Sequence, residues 1–186
     1  NLDQGKITFT ECTFTNADIA LEYDLQSVIV TFSQCKWDNC IQHIRQYACD
    51  RLLIENCWVY PRTNSLSDYE GYFRLNGGLA TISGGLWIPS QIAGVSEAYW
   101  ISTEPLLKDG VTPLGSGISR LLVDDAHFGG ESGSLPIVGW FGKGIDPSVT
   151  PSTPSAIVIK NSSAFSVLGD DDKAASVVLH TLPNSI

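Results

Sequence analysis

Val30-Thr31-Phe32-Ser33-Gln34-Cys35-Lys36-Trp37 is an octet that returns five more times along the chain. Its relatives cover residues 7–14 (ITFTECTF), 52–59 (LLIENCWV), 80–87 (ATISGGLW), 121–128 (LLVDDAHF) and 157–164 (IVIKNSSA). Positions one, three and eight are apolar in every copy, and position six is small: Cys12, Cys35, Cys57, Gly85, Ala126, Ser162. Positions four and five are polar or glycine in all six. The copies begin at residues 7, 30, 52, 80, 121 and 157, so the spacing is 23 and 22 residues at first and then 28, 41 and 36. A near-constant period that later lengthens by insertion marks a repeat architecture.

Period-two alternation turns positions one and three inward as a short strand and position two outward. The polar pair at four and five makes a bend, after which six and eight face inward and seven outward. Two short strands joined by a polar corner and repeated every 22 or so residues describe one coil of a solenoid. A leucine-rich repeat shares the octet pattern but adds a leucine three residues upstream. Here those places hold Gln4, Ser27, Cys49, Gly77, Ile118 and Pro154. A leucine-rich repeat would also follow the octet with a helix, whereas residues 19–25 (IALEYDL) alternate like a third strand. The fold predicted is therefore all-β: a right-handed parallel β-helix of about six coils, with loop insertions in the later ones. It reads as one domain over 1–186, with 165–186 as a C-terminal cap.

With 43% apolar residues and mean hydropathy +0.06, the 186-residue chain has material for one soluble domain with a real core. Its apolar runs are too short to span a membrane, so no membrane insertion is expected. An Asn start and the absence of Met suggest a fragment or processed product. Net charge is −9, which argues against nucleic acid as a partner because phosphate binding needs a basic face. Five cysteines are an odd number. Cys12, Cys35 and Cys57 share one repeat position and are expected to stack inside as free, apolar fillers, which points to assembly in a reducing compartment. A zinc set from Cys35, Cys40, His43, Cys49 and Cys57 lacks any C-x₂-C pair. No nucleotide-binding or nucleophile-elbow motif is present, and neither a metal nor a cofactor is expected.

The extra residues of the later coils follow the octet, over 60–79, 88–120 and 129–156. They leave the coil at one angular position and should lie side by side on one flank, where long loops on a rigid scaffold carry function. The first holds Asp68-Tyr69-Glu70-Gly71-Tyr72-Phe73-Arg74 and the second Glu97-Ala98-Tyr99-Trp100-Ile101-Ser102-Thr103-Glu104. Aromatic faces take the apolar face of a sugar and carboxylates accept bonds from its hydroxyls. A carboxylate pair is also what glycoside hydrolysis requires. Asp68, Glu70, Glu97 and Glu104 are thus the catalytic candidates, and Tyr69, Tyr72, Arg74, Tyr99 and Trp100 candidate carbohydrate contacts. The outward position seven adds Trp58 and His127, the latter two residues from Asp125 and open to an acid–base pairing with it. Trp58 and Leu86 at position seven and Leu53 at position two place apolar groups outside, as an interface or ligand platform would. Asp124-Asp125 occupies a corner and reads as turn chemistry.

In ITFTECTF, VTFSQCKW and LLIENCWV the chain resembles the parallel β-helix repeats of bacteriophage tailspikes and pectate-lyase-like proteins; LLIENCWVYP with its glycine- and aromatic-rich insertion is most similar to tailspikes. That resemblance implies a homotrimer on a virion tail, assembled in the host cytoplasm and acting outside the cell. It implies binding, and often hydrolysis, of bacterial O-antigen or capsular polysaccharide by a depolymerase. The alternative is a non-enzymatic trimeric adhesin or structural stalk whose outward apolar strip is an assembly surface.

Overall fold

The computed structural model describes residues 5–62, 71–75, 77–87, 99–103, 106–107, 113–114, 117–130, 138–141, 156–166 and 177–180. Three parallel six-stranded sheets account for eighteen of its twenty strands, and the described residues contain no helix. The first sheet runs β1 (Gly5–Thr10), β4 (Val28–Ser33), β7 (Arg51–Glu55), β10 (Gly77–Ser83), β15 (Gly117–Asp124) and β18 (Ala156–Lys160). The second runs β2 (Thr13–Thr15), β5 (Lys36–Cys40), β8 (Trp58–Pro61), β11 (Leu86–Trp87), β16 (His127–Gly130) and β19 (Ser163–Ser166). The third runs β3 (Ile19–Asp24), β6 (Gln42–Ala48), β9 (Gly71–Leu75), β12 (Tyr99–Ser102), β17 (Val138–Phe141) and β20 (Val177–His180). The chain therefore visits first, second and third sheet in rotation. A short antiparallel pair, β13 (Leu106–Leu107) with β14 (Pro113–Leu114), stands apart.

Each octet is the first-sheet strand, the corner and the start of the second-sheet strand. Register keeps like positions together: Ile7 opposes Val30, Val30 opposes Leu52, Leu52 opposes Ala80, and so on to Ile157. All six residues at octet position five adopt left-handed backbone: Glu11 (φ 54°), Gln34 (54°), Asn56 (51°), Gly84 (68°), Asp125 (54°) and Asn161 (51°). That conformation bends the chain at the corner within one residue, and it explains the polar or glycine preference there, since Asn, Asp and Gly tolerate it best. The corner amides of Glu11, Gln34, Asn56, Gly84 and Asp125 donate to the position-four carbonyl of the next corner at 2.8–3.2 Å. The hydrogen-bond ladder thus runs unbroken around the bend. Asn161 Nδ2 adds a side-chain bond to Asp124 Oδ1 at 3.0 Å. A second corner repeats the device in the early strands, where Asn16 and Asn39 are left-handed and joined Nδ2 to Oδ1 at 2.7 Å.

The interior is a column of rings and aliphatic side chains. Phe9 stacks on Phe32 (4.9 Å, 6°) and Phe14 on Trp37 (5.5 Å, 15°). Phe73 of the third sheet sits between Trp37 and Trp87 of the second at 5.4 and 4.7 Å. Trp37, Val59, Trp87 and Phe128, all at position eight, are buried as the alternation requires. Leu21, Ile44, Phe73, Ile101 and Val138 form the matching third-sheet row. The five cysteines are free; Cys35, Cys40, Cys49 and Cys57 are buried and Cys12 half-buried. Burial pushes the Cys49 and Cys57 thiols up to about 12, so they are inert fillers.

One part of the insertion reading changes. The stretches 60–79, 88–120 and 129–156 are not loops throughout, because each contains a third-sheet strand, β9, β12 and β17 respectively. The third strand inferred at residues 19–25 is present as β3, and it recurs where the spacing lengthens.

Candidate functional site

The outer face of the second sheet carries the exposed aromatic of the early repeats. Its position-seven row is Thr13, Lys36, Trp58, Leu86, His127 and Ser163, each opposite the next. Trp58 is 43% exposed, the most of any large apolar residue described. Leu86 beside it is half-buried and His127 exposed. Two residues further along the same strands lies Thr15, Asp38 and Tyr60, again in register. Lys36 Nζ donates to Asp38 Oδ2 at 2.8 Å and lies 5.3 Å from the centre of the Tyr60 ring. The hydrogen bond to Asp38 holds the Lys36 ammonium above its ordinary pKa. Indole, phenol, ammonium and carboxylate thus share one flat patch. An indole face on rigid backbone offers stacking at little entropic cost, and the polar groups around it can bond hydroxyls. Asp38 is the one carboxylate of these two rows among the described residues.

The predicted site residues separate. Trp58 and His127 share the position-seven row, with Leu86 between them. Arg74 lies on a different face, in the third-sheet row Glu22, Arg45, Arg74, Ser102. There Arg45 bonds Gln42 Oε1 through Nε and Nη2 (3.0 and 2.6 Å) and approaches Glu22 at 3.8 Å, while the Tyr47 hydroxyl donates to Glu22. Tyr72 and Trp100, expected at a sugar platform, are 4% and 0% exposed. Tyr72 stacks on His43 (5.5 Å), and Trp100 packs against Tyr72, Trp87 and Phe128 at 5.3–6.0 Å. Both are core: the third-sheet backbone carries their rings into the aromatic column. Tyr99 is in β12 opposite Gly71. This pairing puts the strand parts of the two acidic–aromatic segments side by side, as expected of neighbouring repeats. Asp68, Tyr69, Glu70, Glu97 and Glu104 lie outside the described residues.

The alternation places Lys36 outward at position seven without marking it as part of a site, and Asp38 and Tyr60 were missed; carrying the alternation on to position nine would have found them.

Among the described residues, His43 is a titratable group buried without a hydrogen-bond partner. It is fully buried among Trp37, Tyr72 and Phe73, with both ring nitrogens unpaired. Burial lowers its pKa to about 3, so it is neutral at pH 7. Among the described residues no three His, Cys, Asp or Glu side chains are gathered as a metal ion would need.

The fold and this face define an all-β chain of stacked parallel sheets with an exposed aromatic patch. No protein-family model, curated protein or solved structure matches the chain.

Proposed function

We propose that the protein is a right-handed parallel β-helix of the tailspike kind that recognises bacterial surface polysaccharide through the outer face of its second sheet. Its setting would be a phage tail, as a homotrimer. The observation that carries the reading is Trp58: a tryptophan held 43% exposed on a regular strand, with Lys36, Asp38 and Tyr60 in the adjoining positions. Right-handedness follows from the crossover rule for parallel strands. Hydrolysis is the further step. It is supported by the sequence positions of Asp68 and Glu70 just before β9 and of Glu97 and Glu104 on either side of β12, two strands that pair.

The test is a panel of O-antigen and capsular polysaccharides, with binding and release of reducing ends both measured. Trp58→Ala is expected to weaken binding about tenfold, the equivalent of about 1.4 kcal/mol. Single Ala replacements of the four carboxylates should abolish cleavage while leaving binding intact. No binding across the panel by the folded protein would overturn the proposal.

A further inference from the structure

The net charge of −9 conceals where the cations sit. Lys36, Arg45, Arg62 and Lys160 are each ion-paired with an aspartate or glutamate. Lys6, Arg51 and Arg120 are exposed and have no ion-pair partner among the described residues. All three belong to one row. Lys6 opposes Ile29, Ile29 opposes Arg51, Arg51 opposes Leu79, and Leu79 opposes Arg120 on the first sheet. The row immediately precedes the inward octet position one, so it faces out. Cation and aliphatic alternate strand by strand, which spaces the charges about 9.6 Å apart and spans about 19 Å from Lys6 to Arg120 at the usual strand separation.

The next row on the same face is uncharged: Thr8 and Val158 are exposed, Leu53, Thr81 and Leu122 half-buried, and Thr31 buried. The carboxylates of Glu55 and Asp124 lie at the corner, four residues along, or about 13 Å away. Asp124 is already bound to Lys160 at 3.1 Å. With a Debye length of about 10 Å at 0.1 M salt, the negative charge on the other faces is largely screened from this row. Asp50, next in sequence to Arg51, has interactions of its own.

We propose that the outer face of the first sheet binds a linear acidic polysaccharide carrying one carboxylate or sulfate per disaccharide, laid along the stack of strands. A disaccharide unit is about as long as two strand separations, so successive acidic groups meet Lys6, Arg51 and Arg120 in turn. The intervening sugars lie over Ile29 and Leu79, with the Thr8 and Thr81 hydroxyls in the adjoining row. Nucleic acid fits less well, because its phosphates recur at every nucleotide and far outnumber three cations. This face is distinct from the Trp58 patch, and its occupation does not depend on that patch.

Calorimetry on the full chain with a hyaluronan decasaccharide, which has one carboxylate per disaccharide, tests the proposal. Polygalacturonate of equal length, neutral dextran and oligothymidylate serve as comparators. Hyaluronan is expected to bind, weakening roughly tenfold between 50 and 200 mM salt for three charge contacts. Arg51→Gln should cost several-fold, and combined Lys6→Gln, Arg51→Gln and Arg120→Gln should abolish binding with the melting temperature unchanged. Trp58→Ala should leave it intact, which separates this face from the other. Retained binding in the triple variant, tighter binding of polygalacturonate or oligothymidylate, or no binding by the folded wild type would each overturn it.

Discussion

Trp37 and Trp58 sit on adjacent strands of the same sheet, yet one is 0% and the other 43% exposed. Trp37 occupies position eight of its octet and Trp58 position seven of the next. A displacement of one residue flips a side chain to the other face of a strand, so phase within the repeat, and not residue type, decides between core and surface. Tyr72 and Trp100 depart from that alternation: each immediately precedes an inward residue, Phe73 or Ile101, and is buried all the same.

The contrast can be broken at either end. Trp87→Ala should open the aromatic column between Phe73 and Phe128 and cost about 3–5 kcal/mol in urea unfolding; a loss below about 1 kcal/mol would mean that the column is not continuous. His43 tests the interior by pH. Its folded pKa of about 3 lies below the ordinary 6.5, so the unfolded chain takes up the proton first, and stability falls as pH drops through 6.5 toward 3. The expected loss is about 2 kcal/mol between pH 7 and 5. His43→Leu should remove that slope, and an unchanged slope would place its cause in other groups. At the corner, Gln34→Gly should raise stability by about 0.5–1 kcal/mol by relieving left-handed strain, visible as a higher melting temperature. Least of all, Trp58→Ala should change stability by no more than about 0.5 kcal/mol, while weakening glycan binding.

The first two sheets were legible because octet and corner have fixed lengths: position eight always falls seven residues after position one. The third sheet was legible only at first. Ile19 follows Phe14, and Gln42 follows Trp37, by five residues, but Gly71 follows Val59, and Tyr99 follows Trp87, by twelve. With the spacing variable, the phase of the third strand is lost, and its aromatics passed for loop residues. The leucine-rich alternative fails on the same element, since the segment after the octet is strand. Trp58 and Lys36 were legible as outward residues, but that Lys36, Asp38 and Tyr60 gather beside Trp58 needed the register between strands. The row of Lys6, Arg51 and Arg120 is invisible along the sequence, because 45 and 69 residues separate its members.

Parallel pairing has a kinetic consequence. Ile7 meets Val30, and Val30 meets Leu52, only after the chain has made a full circuit of the three sheets. Apart from the β13–β14 hairpin, no strand among the described residues pairs with its neighbour in sequence. Each strand pairing must first close a loop of some twenty residues or more, and such non-local topologies fold on the millisecond-to-second scale or slower. A newly made Val-Thr-Phe strand therefore waits, exposed, for a partner not yet formed. Chain collapse and aggregation compete for it in that interval, so growth temperature is expected to govern the yield of folded protein more strongly than the final stability would suggest.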